Sequence, residues 1–149
     1  MKPAKGTFLP DVNVVFALLW PRHVHHGAAS EWFRERGCGG WATNAITQLG
    51  VMRLLTNPLI ARNAVTPAAA LEAVREATAH PGHVFWNLDR PMADVIGGAA
   101  ARLTGHRQWN DLLLLRQAAD RQGVLVTFDA GLTALLDAAS RPHLLVLKP

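Results

Sequence analysis

Short apolar runs of strand type alternate along this chain with longer stretches whose apolar positions recur at helical spacing. Phe8-Leu9-Pro10 is the first run and ends at Asp11. A helix is predicted over 13–19, stopped by Trp20-Pro21. A second helix spans 25–36, with Ala28, Ala29, Trp32 and Phe33 on one face, and the glycines of 37–40 end it. Trp41-Ala42-Thr43 is a short strand. Asn44 then suits a helix N-cap, and Ile46, Leu49 and Leu54 lie on a helical stripe that stops near Asn57-Pro58. Thr66-Pro67 pairs an N-cap with proline at the first helical position, opening a helix to about Ala79. A turn at Pro81-Gly82 leads to a strand over 83–88 and then to a helix over 91–103, weakened by Gly97-Gly98. A helix over 109–122 closes at Gly123. Val124 to Phe128 is a continuous apolar strand of the buried parallel kind, 129–139 is helical, and 144–147 is the last strand. No repeat or low-complexity linker interrupts the alternation. The expected fold is therefore α/β with a mainly parallel central sheet covered by helices on both faces, as a single domain over 1–149.

Composition bounds this picture. The chain has 149 residues, half of them hydrophobic and 17% charged, enough to bury a real core. No apolar run reaches the ~18 residues of a membrane span, so no membrane association is expected. Pro10, Asp11 and Asn13 break the apolar stretch after the N-terminal lysines, which does not fit a secretory signal. The single Cys38 forms no internal disulfide, which suits a reducing cytoplasm. The net charge is +4, and 12 of the 15 basic residues are arginines, a sign that favours a polyanionic partner.

In open α/β sheets, sites form outside the carboxyl ends of the strands. Asp11 follows the first strand and Asp129 follows the Val124–Phe128 run. Asp111 stands in the first turn of the helix that feeds that run, so all three can meet at one sheet edge. Each has a plain structural role available, as turn residue, helix cap or complement to a helix N-terminus. Three carboxylates in one cleft would repel one another and hold their protons unless a cation relieved them. A hard divalent ion such as Mg²⁺ or Mn²⁺ does so through oxygen ligands, and such an ion supports phosphodiester hydrolysis. Without these three aspartates the remaining surface carries 15 basic and 8 acidic side chains, or +7.

Leu9-Pro10-Asp11-Val12-Asn13, the stretch Thr47-Gln48-Leu49-Gly50 through Arg53, then Asp111, then Thr127-Phe128-Asp129 resemble, in that order, the PIN-domain family. More closely they resemble its VapC-type ribonuclease toxins, and His83-Val84-Phe85-Trp86 and Gly105-His106-Arg107-Gln108 resemble one branch of that group. The resemblance implies a three-layer α/β/α sandwich, Mg²⁺- or Mn²⁺-dependent RNA cleavage, a homodimer, and neutralisation by a small cognate antitoxin. Asp11, Asp111 and Asp129 match the family's acidic site residues, and Asn13 and Thr127 match polar positions that hold the site together.

Gln48 stands where the family usually has glutamate. Its amide can ligate through the carbonyl oxygen, orient water or donate to phosphate, but cannot act as a carboxylate base. Two functions follow: a metal-dependent endoribonuclease with Gln48 assisting, or a catalytically weakened PIN-fold module that binds RNA or an antitoxin. A receiver or phosphate-transfer domain with Asp11 as nucleophile is disfavoured, because all three lysines lie near the chain ends. His106 and Arg107, just before Asp111, are candidate RNA contacts. Arg53 can meet RNA, pair with a site carboxylate or hold structure. His23, His25 and His26 are assigned to a polar surface or helix start, and the five tryptophans to packing rather than to base stacking.

Overall fold

The computed structural model describes residues 6–61, 63 and 65–149; the N-terminal lysines Lys2 and Lys5 lie outside the described residues. Five strands form one sheet: β1 (Phe8–Pro10), β2 (Trp41–Thr43), β3 (His83–Phe85), β4 (Val124–Thr127) and β5 (Leu144–Val146). Their spatial order is β3-β2-β1-β4-β5, and every pairing is parallel. The chain thus builds outward from β1 in one direction and from β4 in the other. The crevice between them, outside their carboxyl ends, is the topological switch point.

Alternation along the strands explains the layers. Leu9 and Leu125 point to one face and pack with Leu112, Leu114 and Leu115 of helix α6 (Trp109–Asp120). Phe8 and Val126 point to the other, against Val14 and Ala17 of α1 (Val12–Leu19) and Ala29 and Trp32 of α2 (His26–Glu35). A third cluster joins α1, through Val15 and Phe16, to α3 (Ala45–Thr56) and α4 (Pro67–Thr78), through Val51, Leu55, Ala70 and Val74. This is the expected three-layer α/β/α arrangement.

Several boundaries differ from expectation for local reasons. The predicted helix over 91–103 splits into α5 (Met92–Ile96) and a 3₁₀ stretch, Gly97–Arg102. Gly97 adopts a positive φ of 52°, which a glycine takes at little cost and which ends an α-helix. The strand expected over 83–88 stops at Phe85, and the segment after Asp129 is a 3₁₀ turn, Ala130–Leu135, rather than an α-helix. Helix α6 closes through Gln122, which takes the left-handed conformation (φ 55°) one residue before the predicted Gly123.

Two contacts lock the helices that frame the switch point. A Cβ on Gly50 would sit 2.6 Å from Val12 Cγ2, so its lack of a side chain lets α3 press against the start of α1. Asn44, fully buried, caps α3 by accepting from the Thr47 N–H, while Thr47 Oγ1 accepts from the Asn44 N–H. The Asn44 amide also donates to Gln117 Oε1 of α6 at 2.7 Å, and Gln117 donates to the Asn87 carbonyl. A buried amide with all partners satisfied ties α3 to α6 across the sheet end.

Replacing Asn44 with Ala removes the cap and orphans the buried Gln117 oxygen. Unfolding in urea should show a loss of about 2 to 4 kcal/mol from the two effects together. A loss under 1 kcal/mol would mean that the bridge does not hold α3 to α6.

Candidate active site

Asp11 is the N-cap of α1. Its Oδ1 accepts from the Val14 N–H at 2.9 Å and its Oδ2 from the Thr127 hydroxyl at 2.5 Å. It is only 6% exposed. Burial pushes its carboxyl from 3.8 up to about 6, against the lowering effect of those donors, and the nearby Asp111 adds to the rise. Thr127 also accepts from the Asp129 N–H at 3.0 Å, so one hydroxyl links the ends of β1 and β4.

Asp111 sits half-buried in the first turn of α6. Burial raises its proton affinity, and the charge of Asp129 raises it further. Asp129 is exposed, and its Oδ1 accepts from the Gly131 N–H at 2.8 Å, capping the 3₁₀ turn. Its structural role as a cap, foreseen as an alternative, is therefore present alongside its electrostatic influence on Asp111.

A cavity of about 410 Å³ opens at this edge. Asp11 and Asp111 line it together with Asn13, Arg53, Asn57, Arg107 and Asn110. Arg53 and Arg107 are exposed and enter no ion pair among the described residues. Arg53 is thus not neutralised by a site carboxylate. His106 is exposed in the 3₁₀ turn His106–Gln108 and does not line the cavity.

Gln48 is not brought to this cavity. Ile46, Gly50, Arg53, Leu54 and Asn57 form the face of α3 that lines it. Gln48 lies two residues from both Ile46 and Gly50, roughly 200° around the helix. Its Nε2 donates instead to Thr43 Oγ1 at 2.9 Å, and that hydroxyl is hydrogen-bonded to His83 Nε2 at 2.8 Å. Asn57 and Asn110 were not singled out in the sequence. The adjacency of Asn110 to Asp111 was the one available signal, while Asn57 carried only its place at a helix end.

The donor set around the two carboxylates is all oxygen, with amides beside it, which suits a hard divalent cation. Asp11 and Asp111 both hold their protons more tightly than usual, and a cation between them would reverse that. Among the described residues no group of three Asp, Glu, His or Cys side chains is gathered closely enough to hold an ion alone. The carboxylates that line the cavity are Asp11 and Asp111, and Asp129 lies outside its lining.

The PIN-domain model matches residues 8–135. The chain belongs to the PIN-domain family. Ribonuclease VapC39 of Mycobacterium tuberculosis is 43% identical over 136 residues, covering 90% of this chain and 94% of that protein. Ribonuclease VapC38 of the same organism is 38% identical over 134 residues, covering 90% and 92%. The crystal structure of PAE2754 from Pyrobaculum aerophilum shares the fold, with a TM-score of 0.57 at 22% identity, covering 97% of this chain and 87% of that one. In this PIN domain, the residues expected at the acidic edge come from the ends of β1 and β4 and the start of α6.

The buried Asp11 has a thermodynamic signature. Its carboxyl is protonated up to about pH 6 in the folded chain but ordinarily titrates near 3.8. Between those values the folded state holds a proton that the unfolded chain releases, so this group's contribution to stability falls as pH rises. Asp11→Asn should match wild type below about pH 4 and exceed it at pH 7 by roughly 2 to 3 kcal/mol. Thermal melts from pH 4 to 8 measure the gap; an Asp11→Asn protein less stable than wild type throughout would contradict it.

Proposed function

We propose that this PIN domain is a metal-dependent endoribonuclease that hydrolyses RNA phosphodiester bonds as the toxin of a bacterial toxin–antitoxin pair. The observation that carries this reading is the shared cavity of Asp11 and Asp111 with the unpaired Arg53 and Arg107 at its wall. Its relatives named as VapC ribonucleases, at 43% and 38% identity, support the substrate class.

Asp11 and Asp111, with Asp129 nearby, are the residues that would hold Mg²⁺ or Mn²⁺. When bound, such an ion supplies positive charge to the phosphate in the transition state and makes water a better nucleophile. Thr127 fixes the Asp11 carboxylate, and Asn13 borders it. Asp111, half-buried in the first turn of α6 at the same cavity, is placed to accept a proton from attacking water at its carboxylate. Arg53 and Arg107 bind flanking phosphates, and His106 lies at the margin of that track. Gln48 is a positioning residue that holds Thr43 at the end of β2 and, through it, His83 at the start of β3.

The partners in this reading are RNA, a small cognate antitoxin and a second copy of the chain in a homodimer. The compartment is a reducing cytoplasm, in keeping with the exposed free thiol of Cys38. No helix among the described residues is long and apolar enough to cross a membrane.

The absence of a gathered three-acid group among the described residues favours one second reading, a PIN-fold module that binds RNA or antitoxin with little catalysis. Purified protein incubated with mixed structured RNA in Mg²⁺, Mn²⁺ or EDTA separates the two. The nuclease reading expects cleavage that EDTA stops and that Asp11→Asn or Asp111→Asn lowers at least a hundredfold. Inert wild type in every divalent ion, with RNA binding that Asp11→Asn leaves intact, would support the binding module.

RNA affinity should fall steeply with salt. Arg53→Ala and Arg107→Ala should each make the slope of log K against log salt shallower by about one. An unchanged slope in filter binding would remove that arginine from the RNA track.

A further inference from the structure

Beside the acidic cavity lies a second one, of about 590 Å³, whose character is different. Trp109 and Leu113, one turn apart on α6, form one wall, and Met92 and Ile96, likewise one turn apart on α5, form another. Ile46 and Asn110 line both cavities, so the two adjoin. Trp109 is 51% exposed and Met92 43%, although the pattern of the sequence assigned the tryptophans to packing. Trp32, Trp41 and Trp86 do follow that assignment; Trp109 does not.

We infer that this second cavity takes an unpaired nucleobase of the RNA strand held at the acidic cavity, and that Trp109 is its stacking surface. The inference rests on the nuclease reading above and extends it to base selection. A nucleobase has apolar faces and a hydrogen-bonding edge. The cavity offers apolar walls, an aromatic ring open to solvent and a single amide, Asn110, where it joins the acidic site. Its volume is that of a small-molecule pocket, ample for a base with its ribose. The unpaired Arg53 and Arg107 lie along the adjoining cavity, so an occupant that carries its own phosphates is the one whose charge the neighbourhood complements. Asn110 would then read the base edge through its carbonyl and amide, one residue from Asp111. Trp109, Asn110 and Asp111 together place base stacking, base reading and chemistry on one helical turn.

The test uses the full chain and a short unstructured oligoribonucleotide, with one abasic site moved position by position. Two quantities are measured: tryptophan fluorescence during titration in Mg²⁺, and kcat/KM for cleavage. Wild type should show a saturable quench that is lost in both Trp109→Phe and Trp109→Ala, which lack the reporting ring, whereas cleavage should be lowered less by Trp109→Phe, which still stacks, than by Trp109→Ala. One abasic position near the cleaved bond should abolish the quench as well. That abasic site and Trp109→Ala should each lower kcat/KM by on the order of tenfold to a hundredfold, and the two losses should not multiply when combined. Asn110→Ala should change which base is preferred at that position.

A wild-type quench identical to that of Trp109→Ala would overturn the inference, even with cleavage intact. A Trp109-dependent, base-dependent quench without cleavage in any divalent ion would uphold the base pocket and sink the nuclease reading. Conversion of a dimer to a monomer by Trp109→Ala, seen by light scattering, with no base dependence, would assign the cavity to a second copy of the chain and overturn the inference.

Discussion

The buried carboxylate of Asp11 is the constraint around which this PIN domain is arranged. It lies at the carboxyl end of the first central strand, where the sheet changes its direction of growth. The chain holds it there against a desolvation cost, with the Val14 N–H on one oxygen and the Thr127 hydroxyl on the other. The same group caps α1, so the helix start and the site share one side chain. Thr127 then accepts from the Asp129 backbone, and the ends of β1 and β4 become one hydrogen-bonded unit. A neutral residue at position 11 would escape the desolvation cost that the carboxylate bears here.

The other two walls of the cavity depend on packing far less polar than the site. Gly50 allows α3 to approach Val12, which brings Arg53, three residues on, to the cavity. The buried Asn44–Gln117 bridge fixes α3 to α6 and with it the first turn that carries Asp111. The precision of the site is therefore held from behind, by an amide pair and a close helix contact, while the cavity-facing arginines remain free to meet a ligand.

Much of this was legible in the sequence because it follows from strand ends. A run such as Val124–Phe128 fixes where a parallel strand finishes, and Asp11, Asp111 and Asp129 fall at that edge by connectivity alone. What was not legible turns on angles. Whether Gln48 faces the cavity depends on the phase of α3, and the phase that buries Val51 and Leu55 sends Arg53 to the cavity and Gln48 to Thr43. The 3₁₀ stretches after Ile96 and Asp129 were missed because alanine and leucine favour helices of either kind, and only the tertiary path distinguishes them. Trp109 satisfied a packing pattern, yet α5 ends at Gly97 too soon to cover it.

Gln48 shows how a departure from a family's usual residue can be absorbed locally. A glutamine here donates to Thr43, whose hydroxyl is already hydrogen-bonded to His83, so side chains from α3, the end of β2 and the start of β3 form one polar chain. A carboxylate at the same place could only accept, so the Thr43 hydroxyl would turn its proton toward it and His83 would have to donate. The neutral imidazole does so from Nε2–H in its other tautomer, so the hydrogen bonds would reverse direction without placing a charge on a ring whose proton affinity burial already lowers. The amide of Gln48 thus sets the direction of this polar chain, and the carboxylates that line the cavity are Asp11 and Asp111. In the nuclease reading, an acidic pair beside exposed arginines would draw a cation and a phosphate to the same small volume.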